Sequence, residues 1–143
     1  MQTQRPRLLV VDDDRAILTL IGTIALAEGF DVTTTVSGED AMKQMRQRPV
    51  DLVLLDLRMP GITGIDVLRA IRDISPRVKV VLMTGYATID TAVEAVKLGA
   101  IDYLTKPFDL PRLRQLLATV RDEAEQRRAV LTMEGDLAQR VEF

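Results

Sequence analysis

The chain has 143 residues, of which 47% are hydrophobic and 28% charged, so a single globular domain with a proper core is expected. Its 19 basic and 21 acidic residues leave a net charge of −2, which argues against direct nucleic-acid binding, a property that calls for a basic patch. Cysteine and histidine are both absent, which excludes disulfides, thiolate and imidazole metal ligands, a Cys nucleophile, a His-based triad and a histidine phosphodonor.

Leu8 to Val11 reads as a first strand. Ala16 to Ala27 carries apolar residues at helical spacing and stops at Gly29. Asp31 to Thr35, DVTTT, is a polar strand suited to a sheet edge. Gly38 to Arg48 follows Ser37, a good N-cap, and ends before Pro49. Leu52 to Leu55 is an apolar third strand, and Ile65 to Ile74 is a helix closed by Ser75-Pro76. Val78 to Met83 is a fourth strand, Ile89 to Leu98 a helix closed by Gly99, and Ile101 to Leu104 a fifth strand. A last helix opens near Asp109 with Pro111 in its first turn. Strands alternating with helices predict right-handed crossovers and a parallel α/β sheet covered on both faces. No apolar stretch approaches the roughly 20 residues of a membrane span, and MQTQRPR has no signal-peptide character, so a cytoplasmic location without membrane contact is expected.

In open parallel sheets, ligands sit outside the carboxyl ends of the strands. Those ends carry Asp12-Asp13-Asp14 after strand one, Asp56 after strand three, Thr84-Gly85 after strand four and Lys106-Pro107 after strand five. Carboxylates converging from strands one and three resist joint ionisation unless a cation is present. Oxygen-only ligation suits Mg2+ or Mn2+. Beside such a metal a carboxylate can attack phosphorus and form an acyl phosphate. Lys106 would pair with the phosphoryl charge, and Thr84 with neighbouring backbone N–H groups would bind its remaining oxygens.

VVDDD (10 to 14), LLDLRMPGITG (54 to 64), VVLMTGYA (80 to 87) and GAIDYLTKPFD (99 to 109) together resemble a receiver domain of a bacterial two-component response regulator, in order and spacing over about residues 7 to 120. The resemblance implies a flavodoxin-like (βα)5 fold with strand order 2-1-3-4-5. It implies that Asp56 is the phosphoacceptor, loaded from the phosphohistidine of a sensor histidine kinase. Asp13 would be a direct metal ligand, Asp12 would act largely through water, and the backbone carbonyl of Arg58 would be the third protein ligand. Thr84 and Lys106 match the phosphoryl-binding pair, and Tyr103 the aromatic switch that turns inward when Thr84 moves. Asp14 matches no required role and is read as a helix-capping acid. Lys106–Pro107 is expected to be cis, because Lys106 must point over the strand ends while Phe108 returns to the body and X–Pro is the bond where cis costs little; the resemblance implies the same isomer. Such a domain is a phosphoacceptor that catalyses only its own phosphotransfer and slow dephosphorylation.

The run MTGYATIDTAVEAVKLGAIDYLTKPFD is similar to receivers of sigma-54-dependent (NtrC-type) transcription activators, which continue through a linker helix into an ATPase and a DNA-binding domain. No GxxxxGK occurs in these 143 residues, so the expectation is a receiver (1–120) and linker helix (121–143) belonging to a longer regulator of transcription. Leu113, Leu117, Val120, Ala124 and Leu131 form an approximate seam interrupted by Arg127, and Val130, Met133, Leu137 and Val141 continue an apolar stripe. These residues predict a coiled-coil-like homodimer with contacts at Leu117, Val120, Ala124 and Leu131, and Gly135 is a candidate helix interruption. Two other readings compete. A haloacid-dehalogenase-type phosphohydrolase also uses an aspartyl nucleophile and Mg2+, but Ala16 stands where its D-x-D-x-T motif needs threonine, and there is no room for a substrate cap. A docking-only receiver is disfavoured by the complete acidic and phosphoryl-binding set.

Overall fold

Along the first and third strands, alternate side chains enter two different cores, so both faces of the sheet are covered. The protein, here a computed structural model, is described over residues 5–85 and 88–141, with residues 132 and 134–141 described by backbone only. The elements are β1 (Arg7–Val11), α1 (Arg15–Ala27), β2 (Asp31–Thr35), α2 (Gly38–Gln47), β3 (Leu52–Asp56), α3 (Gly64–Ile74), β4 (Lys79–Thr84), α4 (Ile89–Lys97), β5 (Asp102–Thr105) and α5 (Leu110–Val141). All strand pairs are parallel and the order is β2-β1-β3-β4-β5, as the resemblance implies. The polar strand β2 lies at one edge, where its pairing leaves most side chains exposed.

Leu8, Val10, Leu52, Leu54, Val81 and Met83 face α1 and α5, packing with Ile21, Ala25, Phe30, Leu113 and Leu117. Leu9, Val11, Val53, Leu55, Val80 and Leu82 face the other way, against Ala41, Met45, Val67, Leu68, Ile71 and Ala95 of α2, α3 and α4. Burial on both faces explains why strands one, three and four read as unbroken apolar runs. Local signals set the helix starts. Asp14, Ser37, Thr63 and Thr88 each accept an N–H from their own first turn. At Thr88 the bond is reciprocal, with Thr91 closing a capping box.

The tail departs from expectation. Leu117, Val120 and Ala124, assigned from sequence to a dimer seam, are 0%, 3% and 9% exposed and lie within the chain's own body. Their spacing with Leu113 is the stripe by which α5 packs on its own sheet, so the partner of this apolar face is the chain's own body and not a second copy. Contacts with the body continue past Val120. Arg121 donates to the carbonyl of Glu28 at 2.7 Å, Glu123 pairs with Lys79, and Arg128 lies 3.3 Å from Asp51. Leu131, by contrast, is 60% exposed, together with Val130 and Met133. The α5 backbone runs through Gly135 without a break, correcting the interruption expected there. Leu137 and Val141 lie beyond the described side chains. Among the described residues, no helix is long and apolar enough to cross a membrane.

Candidate functional site

The sheet delivers its polar residues to one end. Asp12 follows the last residue of β1, its N–H bonded to the carbonyl of Thr35 at 3.1 Å, and its side chain is fully buried. Its Oδ1 accepts the N–H of Asp14 at 2.9 Å, while Asp14 turns away to cap α1 through Ala16. Asp56 closes β3 opposite Met83 and is 4% exposed. The carboxylates of Asp12, Asp13 and Asp56 each offer an oxygen within 4.8 Å of the others. Asp13 is the exposed member and faces solvent where the other two do not.

Two further groups address this cluster. The N–H of Arg58 donates to Asp56 Oδ1 at 3.1 Å, which brings the start of the β3–α3 loop back over the carboxylate. Lys106 Nζ lies 2.7 Å from Asp12 Oδ2 and 3.4 Å from Asp56 Oδ2. Thr84 ends β4, 1% exposed, and its carbonyl accepts the N–H of Lys106 at 2.8 Å, so the two are fixed side by side. The Lys106–Pro107 peptide is cis.

Burial raises the Asp56 carboxyl from its ordinary 3.8 to about 6; the Arg58 N–H opposes this, the Asp12 charge adds to it, and Lys106 opposes it. Burial alone would lower Lys106, but its bond to Asp12 and the charges of Asp12 and Asp56 outweigh burial and hold it above its ordinary value. Three carboxylates against one ammonium leave two uncompensated charges when all are ionised. A divalent cation would neutralise them, and the all-oxygen donor set suits a hard ion. The cluster thus has the composition of a site for a hard cation.

Tyr103 is half-buried against the core that faces α2 to α4, and its hydroxyl lies 3.5 Å from Thr91 Oγ1. The sequence reading missed this link, although the T-x-x-T spacing of Thr88 and Thr91 was a signal for the capping box that sets it. It also missed Arg72. That guanidinium donates to the carbonyl of Leu98 at 2.9 Å and of Gly99 at 2.7 Å, tying the end of α4 to α3. An arginine on a helix face gives no sequence sign of such a staple.

A family model described as the response regulator receiver domain matches residues 8–118. The transcriptional regulatory protein ZraR of Salmonella typhimurium is 42% identical over 110 residues, covering 77% of this chain; the chain spans only 25% of that curated relative. Among solved structures, a CheY-like receiver domain protein from Methanospirillum hungatei JF-1 shares 28% identity with a TM-score of 0.81, covering 87% of this chain and 99% of the other. The beryllofluoride-activated NtrC4 receiver domain, described as a dimer, shares 32% identity with a TM-score of 0.77 over 82% of this chain and 97% of that one.

Proposed function

The chain belongs to the response regulator receiver domain family, and from that premise we propose that Asp56 accepts a phosphoryl group from the phosphohistidine of a sensor histidine kinase. One observation carries the reading: Asp56, Asp12 and Asp13 converge within 4.8 Å while Lys106 reaches both Asp12 and Asp56. A carboxylate oxygen of Asp56 attacks phosphorus, the bond from phosphorus to the donor nitrogen breaks, and its electron pair stays on that nitrogen; the donor ring, protonated on its other nitrogen, leaves as neutral imidazole, so charge and atoms balance. Asp12, Asp13, Asp56 and the carbonyl of Arg58 would hold Mg2+ or Mn2+, which when bound supplies positive charge against the incoming phosphoryl oxygens. Lys106 and Thr84 orient those oxygens, and the hydrogen bond between their backbones holds the two side by side at the ends of β5 and β4.

Thr84 drawn toward the phosphoryl group would vacate space for Tyr103, so the Tyr103–Thr91 link becomes the readout at α4. The protein is a phosphoacceptor in the cytoplasm, catalysing only its own loading and slow unloading. It regulates transcription through domains outside these residues, without itself touching nucleic acid. Residues 121–143 act as a linker, and a homodimer forms through the exposed end of α5, where Leu131 is the seam position that the chain's own body leaves uncovered, with a packing that differs between resting and phosphorylated states.

The test is intact-mass spectrometry after treatment with acetyl phosphate and Mg2+. One phosphoryl group should be added, and none to Asp56→Asn. Full labelling of that variant would move the acceptor elsewhere.

A further inference from the structure

Gly64 opens α3, and the reason it is a glycine lies in space rather than conformation. Its φ is not among the positive values, which belong to Gly29, Gly61 and Gly99. A Cβ placed on Gly64 would lie 2.4 Å from the carbonyl oxygen of Asp56, 2.5 Å from Cα of Leu57 and 3.1 Å from the carbonyl carbon of Asp56. All three atoms are backbone, and all belong to the phosphoacceptor or its neighbour. The Gly64 N–H donates to the carbonyl of Leu57 at 3.1 Å, which closes the loop from Leu57 to Thr63 into a tight return.

We infer that Gly64 is a positioning residue for phosphoryl transfer: the missing side chain lets the start of α3 seat directly on the backbone of Asp56, which fixes the carboxylate and the Arg58 backbone relative to Asp12 and Asp13. The inference rests on the proposed role of Asp56. A methyl group here has no flexible side chain to push aside, so either the end of β3 or the start of α3 must shift. From 2.4 Å to an ordinary contact the shift is on the order of 1 Å, a displacement that costs about a hundredfold in reactions needing close alignment. The same shift moves the Arg58 N–H off Asp56 Oδ1 and spreads the carboxylates.

Gly38 supplies a matched control. A Cβ there would be as crowded, 2.5 Å from Val67 Cγ2 on α3 and 2.7 Å from Ile62 Cγ2 in the β3–α3 loop, but those atoms are the ends of side chains and not backbone. Crowding at Gly38 presses on side-chain ends that can turn aside; crowding at Gly64 presses on the backbone of Asp56 and Leu57.

The experiment compares Gly64→Ala, Gly38→Ala and the parent for phosphorylation rate with acetyl phosphate, Mg2+ titration and thermal unfolding. Gly64→Ala should phosphorylate about a hundredfold more slowly and require several-fold more Mg2+. Gly38→Ala should unfold at lower temperature yet keep the parent rate within about twofold. A parental rate and Mg2+ affinity in folded Gly64→Ala overturn the inference, as does an equal loss in both variants. Should Gly64→Ala not fold, Thr63→Ala decides, because Thr63 pins the same helix start through the Asp66 N–H at 3.2 Å. A several-fold slower rate with the fold retained supports positioning, and an unchanged rate overturns it. If the parent itself accepts no phosphoryl group, the reading of Asp56 fails, while the Mg2+ titrations still judge Gly64.

Discussion

The ammonium of Lys106 sits 2.7 Å from Asp12 Oδ2, joining the end of β5 to the end of β1 across 94 residues of chain. It stands farther from Asp56, at 3.4 Å, so Lys106 leans toward Asp12 and away from the proposed acceptor. Burial and the nearby Asp12 charge therefore keep the Asp56 carboxyl raised to about 6, and Lys106 offsets only part of that. An arriving phosphoryl group would offer Lys106 a stronger anion than Asp12 does, so the lysine is placed to change partners.

Removing that cation should expose the repulsion it masks. Lys106→Ala is expected to lose about 2 kcal/mol of stability in chelator, below the full cost of breaking a buried pair because Lys106 is partly exposed. Saturating Mg2+ should recover much of the loss, and the variant should bind Mg2+ more tightly than the parent, since three carboxylates then face the ion unopposed. Urea melts with and without Mg2+ measure both effects; equal losses in the two conditions would dissociate Lys106 from the cation site.

Stability should also depend on pH and Mg2+ together. The folded Asp56 carboxyl titrates near 6 against 3.8 as its ordinary value. A carboxyl raised on folding binds its proton more tightly in the native state, so its contribution is fully present below about 4 and is lost as pH rises through about 6. Without metal, stability should therefore fall over that interval. Mg2+ must displace the proton, so its affinity should weaken by up to about tenfold per pH unit below 6. At ten times its dissociation constant near pH 8, Mg2+ should add about 1.4 kcal/mol, and Asp13→Ala should reduce the gain. Melting curves from pH 4 to 8 read the crossing directly.

The reciprocal cap at the start of α4 gives a third expectation. Thr88 N–H donates to Thr91 Oγ1 at 3.2 Å and Thr91 N–H to Thr88 Oγ1 at 3.1 Å, with Tyr103 Oη 3.5 Å from Thr91 Oγ1. Thr91→Val keeps the shape and removes the hydroxyl, so it should cost about 1 kcal/mol locally. Hydrogen exchange of the first-turn amides of α4 should accelerate several-fold, whereas Tyr103→Phe should change it little. Unchanged exchange in Thr91→Val would mean the cap is not what holds this turn.

Much of this architecture was legible because each signal was local. Runs such as LVLL and VVLM announced strands buried on both faces, and Ser37 and Asp14 announced helix starts by side-chain chemistry alone. The carboxyl-end residues Asp12, Asp13, Asp56, Thr84 and Lys106 followed from topology, because a parallel sheet gathers strand ends at one edge. What stayed hidden depended on distance between remote segments. Arg72 reaches carbonyls just past α4, 26 and 27 residues away, and Gly64 is crowded by backbone that only the folded loop brings near. The tail shows the subtler limit: periodicity identifies the apolar face of a helix but not whether that face meets its own sheet or a second molecule.

That last distinction can be tested with two leucines on one helix. Leu117 is fully buried in the body, so Leu117→Ala should cost about 2–5 kcal/mol through lost contacts and a cavity. Leu131 is 60% exposed beside Val130 and Met133, so Leu131→Asp should change monomer stability by less than about 0.5 kcal/mol while preventing self-association. Truncation after Val120 is a poorer probe. It would remove the exposed apolar residues together with Ala124 and the pairs Arg121–Glu28, Glu123–Lys79 and Arg128–Asp51, changing association and stability at once. Sedimentation of Leu131→Asp against the parent, with and without acetyl phosphate, separates the two roles. A dimer that persists in Leu131→Asp assigns association to the receiver surface, whereas a monomer of parental stability assigns it to the tail.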